Sequence, residues 1–392
     1  MTPSARVQAA IEILDRVIES AMSDGPPADA IVATYFKSRR YAGSKDRRAV
    51  RELVFRAIRR SGEQPAIGRA AMIGLARDDE ELATLFDGSP HGPRPIDDSE
   101  AAADAELLPA WIKPLLSERL GPEEWPALLE RAPLDLRVNV ARANRDEMAN
   151  EFASAMPTIL SPWGLRLPPD TRIDDHRAFA EGLVEVQDEG SQLIALACNP
   201  KAGSVLLDLC AGAGGKALAL AAAAPQSRII ASDTNRARLT QLRPRATRAG
   251  AEIETRLLDG GREIEQLSDL RGSCDIVLVD APCSGSGTWR RNPEGRWRLT
   301  PERLEKLARL QSKLLDIAAP LVKPGGALVY ATCSIIRAEG ADQARNFLGR
   351  HSSWLMQDVG FEGGRADGPG RILTPSHDAT DGFFVARFAG PC

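Results

Sequence analysis

Two cysteines stand in loops that are poor material for a core. Cys283 lies in Asp280-Ala-Pro-Cys-Ser-Gly-Ser-Gly and Cys333 in Tyr330-Ala-Thr-Cys-Ser. Each follows a short apolar run and is followed by small residues, which let backbone come close to a ligand. The thiolate is the nucleophilic form of cysteine, and it needs nearby positive charge or N–H donors to form near neutral pH. Asp280 heads the first loop with a carboxyl group. A third motif, Asp208-Leu-Cys-Ala-Gly-Ala-Gly-Gly-Lys216, adds a glycine-rich turn and an ammonium group. Gly212, Gly214 and Gly215 permit a tight turn, and the helix after it offers free N–H groups to a polar ligand. The spacing is not the GxGxxG of dinucleotide enzymes. Thiol, acid and nucleoside-type turn together suit addition of sulfur to an electron-poor ring. A single cysteine is more often an inert core residue; two at strand ends change that balance.

These groups need a frame that brings distant loops together. From residue 200 the pattern is strand, turn, helix, repeated. Val205–Asp208, Ile229–Asp233, Thr255–Leu258, Ile276–Asp280, Ala327–Ala331 and Phe383–Phe388 read as strands. Apolar strands alternating with helices predict a mostly parallel sheet covered on both faces, with ligands at the carboxyl ends of the strands. Asp233 and Asp259 end the second and third strands. Asp233 is placed to meet ribose hydroxyls, or else to cap the helix that starts at Arg236. Asp259 is placed to meet an adenine amino group, or else serves a turn.

The first half of the chain reads differently. Val7, Ile11, Leu14, Val17, Ile18 and Met22 share one helical face, Asp24-Gly-Pro-Pro ends that helix, and further helices follow at 28–36 and 45–60. Between Lys37 and Arg60 stand ten basic residues against Asp46 and Glu52. With Arg290, Arg291, Arg296 and Arg298, interleaved with Trp289 and Trp297, they suggest a phosphate-contacting surface, although a charge run is often only a solvated face. Asp78 to Glu106 carries ten acids and Arg94, and its Pro/Gly content marks 86–105 as a linker. Residues 109–131 look helical, and 134–140 and 183–187 look like strands of a small α/β unit. The expected domains are therefore a helical domain at 1–85, a linker at 86–105, an α/β subdomain at 106–190 and the main domain at 191–392.

Composition closes off other classes. The 392 residues are 43% apolar and 27% charged, with a net charge of −4, as in a folded globular protein rather than collagen, bulk disorder or a disulfide scaffold. No apolar run approaches the length of a spanning helix, and the charged N-terminus lacks a signal-peptide core, so a cytoplasmic protein with reduced thiols is expected. The six cysteines form no CxxC and the four histidines are scattered, so no metal site is expected.

Carbon 5 of cytosine is a poor nucleophile. A thiolate added at carbon 6 makes the ring an enamine, whose carbon 5 attacks an electrophilic methyl group. The carbon 5 proton then leaves and elimination frees the sulfur. An acid must hold the N3/N4 edge, and the base must leave its stack. The residues alone do not say which cysteine attacks.

On DLCAGAGGK (208–216), DAPCSGSGTWRRNPEGRW (280–297) and YATCS (330–334), the chain resembles RNA cytosine-5 methyltransferases of the Sun/RsmB-like type in the Nop/Sun family. LRVN (136–139), VQDEGSQ (186–192) and DGFFVARF (381–388) support this, and SKDRRAVRELVFRAIRR (44–60) more loosely resembles a NusB-like RNA-binding domain. The resemblance implies a Rossmann-like class I S-adenosylmethionine-dependent methyltransferase domain with a seven-stranded sheet, preceded by a small α/β subdomain and an all-α NusB-like domain. It implies Cys333 as nucleophile, Cys283 as the group that assists release, Asp280 on the cytosine edge and Lys216 lining the site. S-adenosylmethionine would lie over Cys210, Ala211, Gly212, Ala213, Gly214, Gly215 and Lys216, with Asp233, Arg238, Asp259 and Asp280 around it. RNA, ribosomal above all, would meet Arg290, Arg291, Arg296, Arg47 and Arg48, in a protein expected to be monomeric. Gly212-Ala213 replaces the family's Ala-Pro, and Ala217 its threonine; neither change removes a reactive group. A DNA cytosine-5 enzyme leaves the TCS cysteine unexplained, a non-catalytic RNA-binding assembly factor has no need of Asp280, Cys283 and Cys333, and a nicotinamide oxidoreductase lacks its glycine fingerprint.

Overall fold

A computed structural model describes every residue except Asp24 and Cys392; the expected roles of those two, ending the first helix and carrying a thiol, lie outside the described residues. The chain divides into two compact units. One comprises Met1–Leu116, Trp125–Glu130 and Thr288–Pro301; the other comprises Ser117–Glu124, Arg131–Gly287 and Glu302–Cys392.

The first unit is helical: α1 (Pro3–Met22), α2 (Ala28–Lys37), α3 (Ser44–Arg60), α4 (Gly68–Arg77) and α5 (Glu80–Thr84). Thr2 caps α1 by accepting from the Ala5 N–H at 3.2 Å, with Pro3 at its first position. The predicted face buries Val7, Ile11, Leu14, Val17 and Ile18 against Val54 and Ile58 of α3 and Met72 of α4, whereas Met22 is exposed.

Two expectations fail here. Residues 86–105 are not a free linker but part of this unit. The Ala103 N–H donates to Ala70 O at 2.9 Å, Arg60 donates to Ala103 O at 2.6 Å, and Arg69 pairs with Glu100 at 2.7 Å. Polar groups that composition assigns to water are satisfied by protein. The helix expected over 109–131 is only two short 3₁₀ stretches, Lys113–Leu115 and Pro122–Leu128. Pro114, Pro122 and Pro126 remove the N–H groups a longer helix needs.

The second unit begins with a small antiparallel sheet of β1 (Leu134–Val138), β2 (Met156–Pro157), β3 (Gly164–Leu167) and β4 (Val184–Val186), in the order β2-β3-β1-β4. The main sheet contains β5 (Val205–Asp208), β6 (Arg228–Asp233), β7 (Glu254–Leu257), β8 (Cys274–Asp280), β9 (Val322–Thr332), β10 (Leu355–Gln357), β11 (Arg365–Asp367), β12 (Gly370–Leu373) and β13 (Phe383–Ala389). Its order is β11-β12-β13-β9-β8-β5-β6-β7, with β10 also on β13. The five strands from β7 to β9 run parallel and β13 runs antiparallel to β9. Nine strands thus replace the expected seven; β10, β11 and β12, of three or four residues each, are too short to show a period. The central parallel strands are apolar where both faces are covered, burying Leu206, Leu207, Val277, Leu278, Val279, Leu328 and Val329, whereas β7 at the edge is polar. Strand order reverses between β5 and β8, and that is where such sheets hold ligands. Among the described residues no helix is long and apolar enough to cross a membrane, and no cluster of His, Cys, Asp or Glu could hold a metal.

Candidate active site

The β5 loop turns back through Gly212 (φ +55°) and Gly214 (φ +80°), left-handed conformations that favour glycine. The Gly214 N–H donates to Ala211 O at 2.8 Å, and the helix Gly215–Ala223 starts there. A Cβ on Gly214 would collide with Leu242. Asp233, at the end of β6, braces this turn: Oδ2 accepts from the Gly212 N–H at 2.7 Å and Oδ1 from the Asn235 N–H at 2.7 Å. The helix cap is Asn235, not Asp233. The exposed Arg238 covers Gly212 closely enough to contact any Cβ placed there. Asp259 is exposed beyond β7 and accepts from Gln266 Nε2 at 3.0 Å.

The ends of β5, β8 and β9 bring the reactive groups together. Lys216 Nζ donates to Asp280 Oδ2 at 2.6 Å. Burial works to strip the proton from Lys216, but Asp280, helped by Cys333 and Asp208, outweighs it and raises its pKa. The sulfurs of Cys283 and Cys333, fifty residues apart in sequence, lie 3.3 Å apart. The Cys333 hydrogen bond, then burial, pushes the Cys283 thiol well above its ordinary range. Cys210, Cys198 and Cys274 are also pushed up, chiefly by burial, which suits inert thiols.

Sequence reasoning missed several groups. Asp208 opens the quoted motif but received no role. It is buried, its carboxylate oxygens have no well-formed hydrogen bond among the described residues, and the Cys210 N–H contributes only weakly. Burial, then Asp280, pushes it up to about 7. Its signal was visible: it is an acid at a strand end, like Asp233 and Asp280. Arg245 donates to Ala213 O at 2.6 Å and pairs with Glu185 at 3.0 Å, fixing the glycine turn. Glu339 joins the two cysteine loops through Ser284 and Ser334; nothing in its spacing announces this.

The arginines after the β8 loop are a correction. Arg290 and Arg296, expected on an RNA surface, are buried in the helical unit together with Trp289 and Trp297, and Arg296 is only 1% exposed. Arg296 Nη2 donates to Ile58 O at 2.6 Å, Nε to Pro293 O at 2.9 Å, and Nη1 to Leu107 O. Trp297 Nε1 donates to Ser61 O at 2.9 Å, and Arg298 reaches Gly25 O and Pro26 O. Ile58 and Ser61 lie at the end of α3, where carbonyls lack helical partners, and these donors serve them. Arg291 is half-buried, and Arg47 and Arg48 are exposed.

The glycine turn, the acid-terminated strands and the orphaned Asp208 carboxyl fit a cationic nucleoside ligand, and this sheet and site define a class I S-adenosylmethionine-dependent methyltransferase. A family model described as 16S rRNA methyltransferase RsmB/F matches residues 195–389. The chain is 34% identical over 296 residues to ribosomal RNA small subunit methyltransferase B of Salmonella paratyphi B, covering 73% of this chain and 67% of that protein. The protein of the same name from Pectobacterium carotovorum is 34% identical over 289 residues, covering 72% and 66%. The crystal structure of PH0851 superposes with a TM-score of 0.77 at 23% identity over 97% of this chain and 98% of that one. NSun6 from Pyrococcus horikoshii with SFG gives 0.61 at 20% identity over 71% and 96%. At such identities these two show the fold. The chain belongs to the RsmB/F family of 16S rRNA methyltransferases.

Proposed function

We propose that this chain methylates carbon 5 of a cytosine in small-subunit ribosomal RNA through a covalent adduct at carbon 6. The observation that carries the reading is the approach of two sulfurs to 3.3 Å, with the Lys216–Asp280 pair at the neighbouring strand ends. Cys333 attacks carbon 6. Lys216, held cationic by Asp280, puts a positive charge beside the cysteine loops. Cys283 keeps its proton, donates to the Cys333 sulfur in the resting state and assists release after transfer. Asp280 spends one oxygen on Lys216 and has the other for the N3/N4 edge. S-adenosylmethionine, when bound, supplies an electrophilic methyl group; residues 210–216, Asp233, Arg238 and Asp259 would hold it.

RNA contacts fall to Arg47, Arg48 and Arg291. Around the first two, Lys37, Arg40, Lys45 and Arg48 are exposed and have no ion pair among the described residues, whereas Arg39, Arg51, Arg56 and Arg60 are paired with acids. Exposed Tyr41 lies among them and offers a face for a base. The protein works as a cytoplasmic monomer.

The test is transfer of tritiated methyl groups to RNA and DNA side by side, with bisulfite sequencing of the product. Cys333→Ala should abolish transfer, and Cys283→Ala should leave protein trapped on RNA. Adduct on the Cys333 variant and none on the Cys283 variant would reverse the roles; label on DNA alone would overturn the substrate.

A further inference from the structure

Each cysteine of the pair is followed by a serine, and both serines converge on one carboxylate. Glu339, fully buried, follows β9. Its Oε1 accepts from the Ser284 N–H at 2.8 Å and from Gln311 Nε2 at 3.0 Å. Its Oε2 accepts from Ser334 Oγ at 2.6 Å and from Ser284 Oγ. Gln311 also donates to Pro282 O at 2.9 Å, the residue before Cys283. The backbone carbonyl of Glu339 accepts from Tyr330 OH at 2.7 Å, on the strand that leads to Cys333. No cation pairs with this carboxylate among the described residues; its four donors are neutral. A buried carboxylate is costly unless its lone pairs are filled. The arrangement is therefore complete only while both loops stay in place.

We infer that Glu339 is a positioning residue that sets the separation of Cys283 and Cys333 by clamping the loop of each through Ser284 and Ser334. It touches neither sulfur. The clamp is reinforced by Ser286, whose Oγ lies 2.9 Å from Ser334 Oγ and accepts from the Ile335 N–H at 3.0 Å. The Gly287 N–H donates to Cys333 O at 3.0 Å. Removing the carboxylate strands four donors at once and leaves the loops joined through Ser286 and Gly287. Glutamine keeps the shape: its oxygen can accept from the Ser284 N–H and Gln311, and its NH₂ can donate to hydroxyls that rotate to receive it.

The inference rests on Cys283 and Cys333 acting as a pair, so its test reads the sulfurs directly. Phenylarsine oxide, a trivalent arsenical, condenses with two adjacent thiols to give a cyclic dithioarsenite and water. The full chain should bind one arsenical per molecule, mapped by peptide mass to Cys283 and Cys333 and absent from Cys283→Ala. In Glu339→Ala the affinity should fall by about tenfold or more and kcat by roughly 10²-fold, as misplacement by an ångström costs. KM for RNA should change little, and Glu339→Gln should restore most of both. If Glu339→Ala does not fold, Ser284→Ala/Ser334→Ala removes the same hydroxyl donors and should shift arsenical affinity in the same direction. A folded variant of either kind with wild-type capture overturns the inference. Capture is indifferent to the methyl acceptor, so a failed cytosine assay leaves this result standing.

Discussion

Replacing Arg296 separates two readings of the basic stretch after the β8 loop. If the guanidinium is internal mortar, as its 1% exposure indicates, Arg296→Met strands the carbonyls of Ile58, Leu107 and Pro293. Hydrogen bonds from a charged donor contribute about 1.5–3 kcal/mol each, while relief of the guanidinium's desolvation returns part of that loss. Burial, and the charge of Arg59 to a lesser degree, pushes the pKa of Arg296 below its ordinary range, the direction that such desolvation gives. The net loss should be about 3–5 kcal/mol. For a unit of this size it should lower the midpoint of helix loss by roughly 10–20 °C. Lysine cannot reproduce the planar fork, so Arg296→Lys should recover little. Thermal melts by circular dichroism at 222 nm on the full chain give the stability, and RNA affinity at several salt concentrations gives the electrostatic contribution. An RNA-contacting arginine would instead leave the melt unchanged and reduce the salt slope by about 1. A wild-type midpoint together with that reduced slope would refute the structural role.

Three further outcomes follow from the site. Asp208 is held near 7 against an ordinary value of 3.8, so the fold favours its neutral form: its contribution is fully present below about pH 4 and is lost as pH rises toward 7, at up to about 1.4 kcal/mol per pH unit. Urea midpoints between pH 5 and 8 should therefore fall less for Asp208→Asn than for wild type, and parallel curves would count against a buried neutral carboxyl. Gly214→Ala must place a methyl group against Leu242 at φ +80°, so calorimetric affinity for S-adenosylhomocysteine should drop about tenfold or more, whereas an unchanged value would show the turn to be pliable. Lys216→Gln removes the cation beside Asp280, and kcat for methyl transfer should fall by about 10²-fold; an unaltered rate would take Lys216 out of the reaction.

The parts of the site that were legible in the sequence are those whose chemistry is carried by residue type. Asp233, Asp280 and Cys333 each end or directly follow an apolar run, and a parallel sheet gathers such ends at one edge whatever the intervening sequence does. The pairing of Cys283 with Cys333 follows once β8 and β9 are neighbours. Glu339 was not legible because its partners are hydroxyls and an N–H, groups that any loop contains. The arginines were misread for a related reason. Charge is visible in a sequence and exposure is not, and an arginine that satisfies helix-end carbonyls looks like one that meets phosphate. The same blindness explains 86–105, where acids and prolines suggested solvent but Ala103 and Glu100 bond to α4.

The boundary between the two units falls between the Cys283 loop and the misread arginines. Gly287 closes the segment that carries Cys283, and Thr288 opens the segment that belongs to the helical unit. The chain thus passes directly from the Cys283 loop into a segment held by Arg296, Trp297 and Arg298. The Gly287 N–H donates to Cys333 O, and Gly287 O accepts from the Gly382 N–H at 2.8 Å. A Cβ at Gly287 would run into the Gly382 backbone, so only glycine lets the two strands of chain pass this closely.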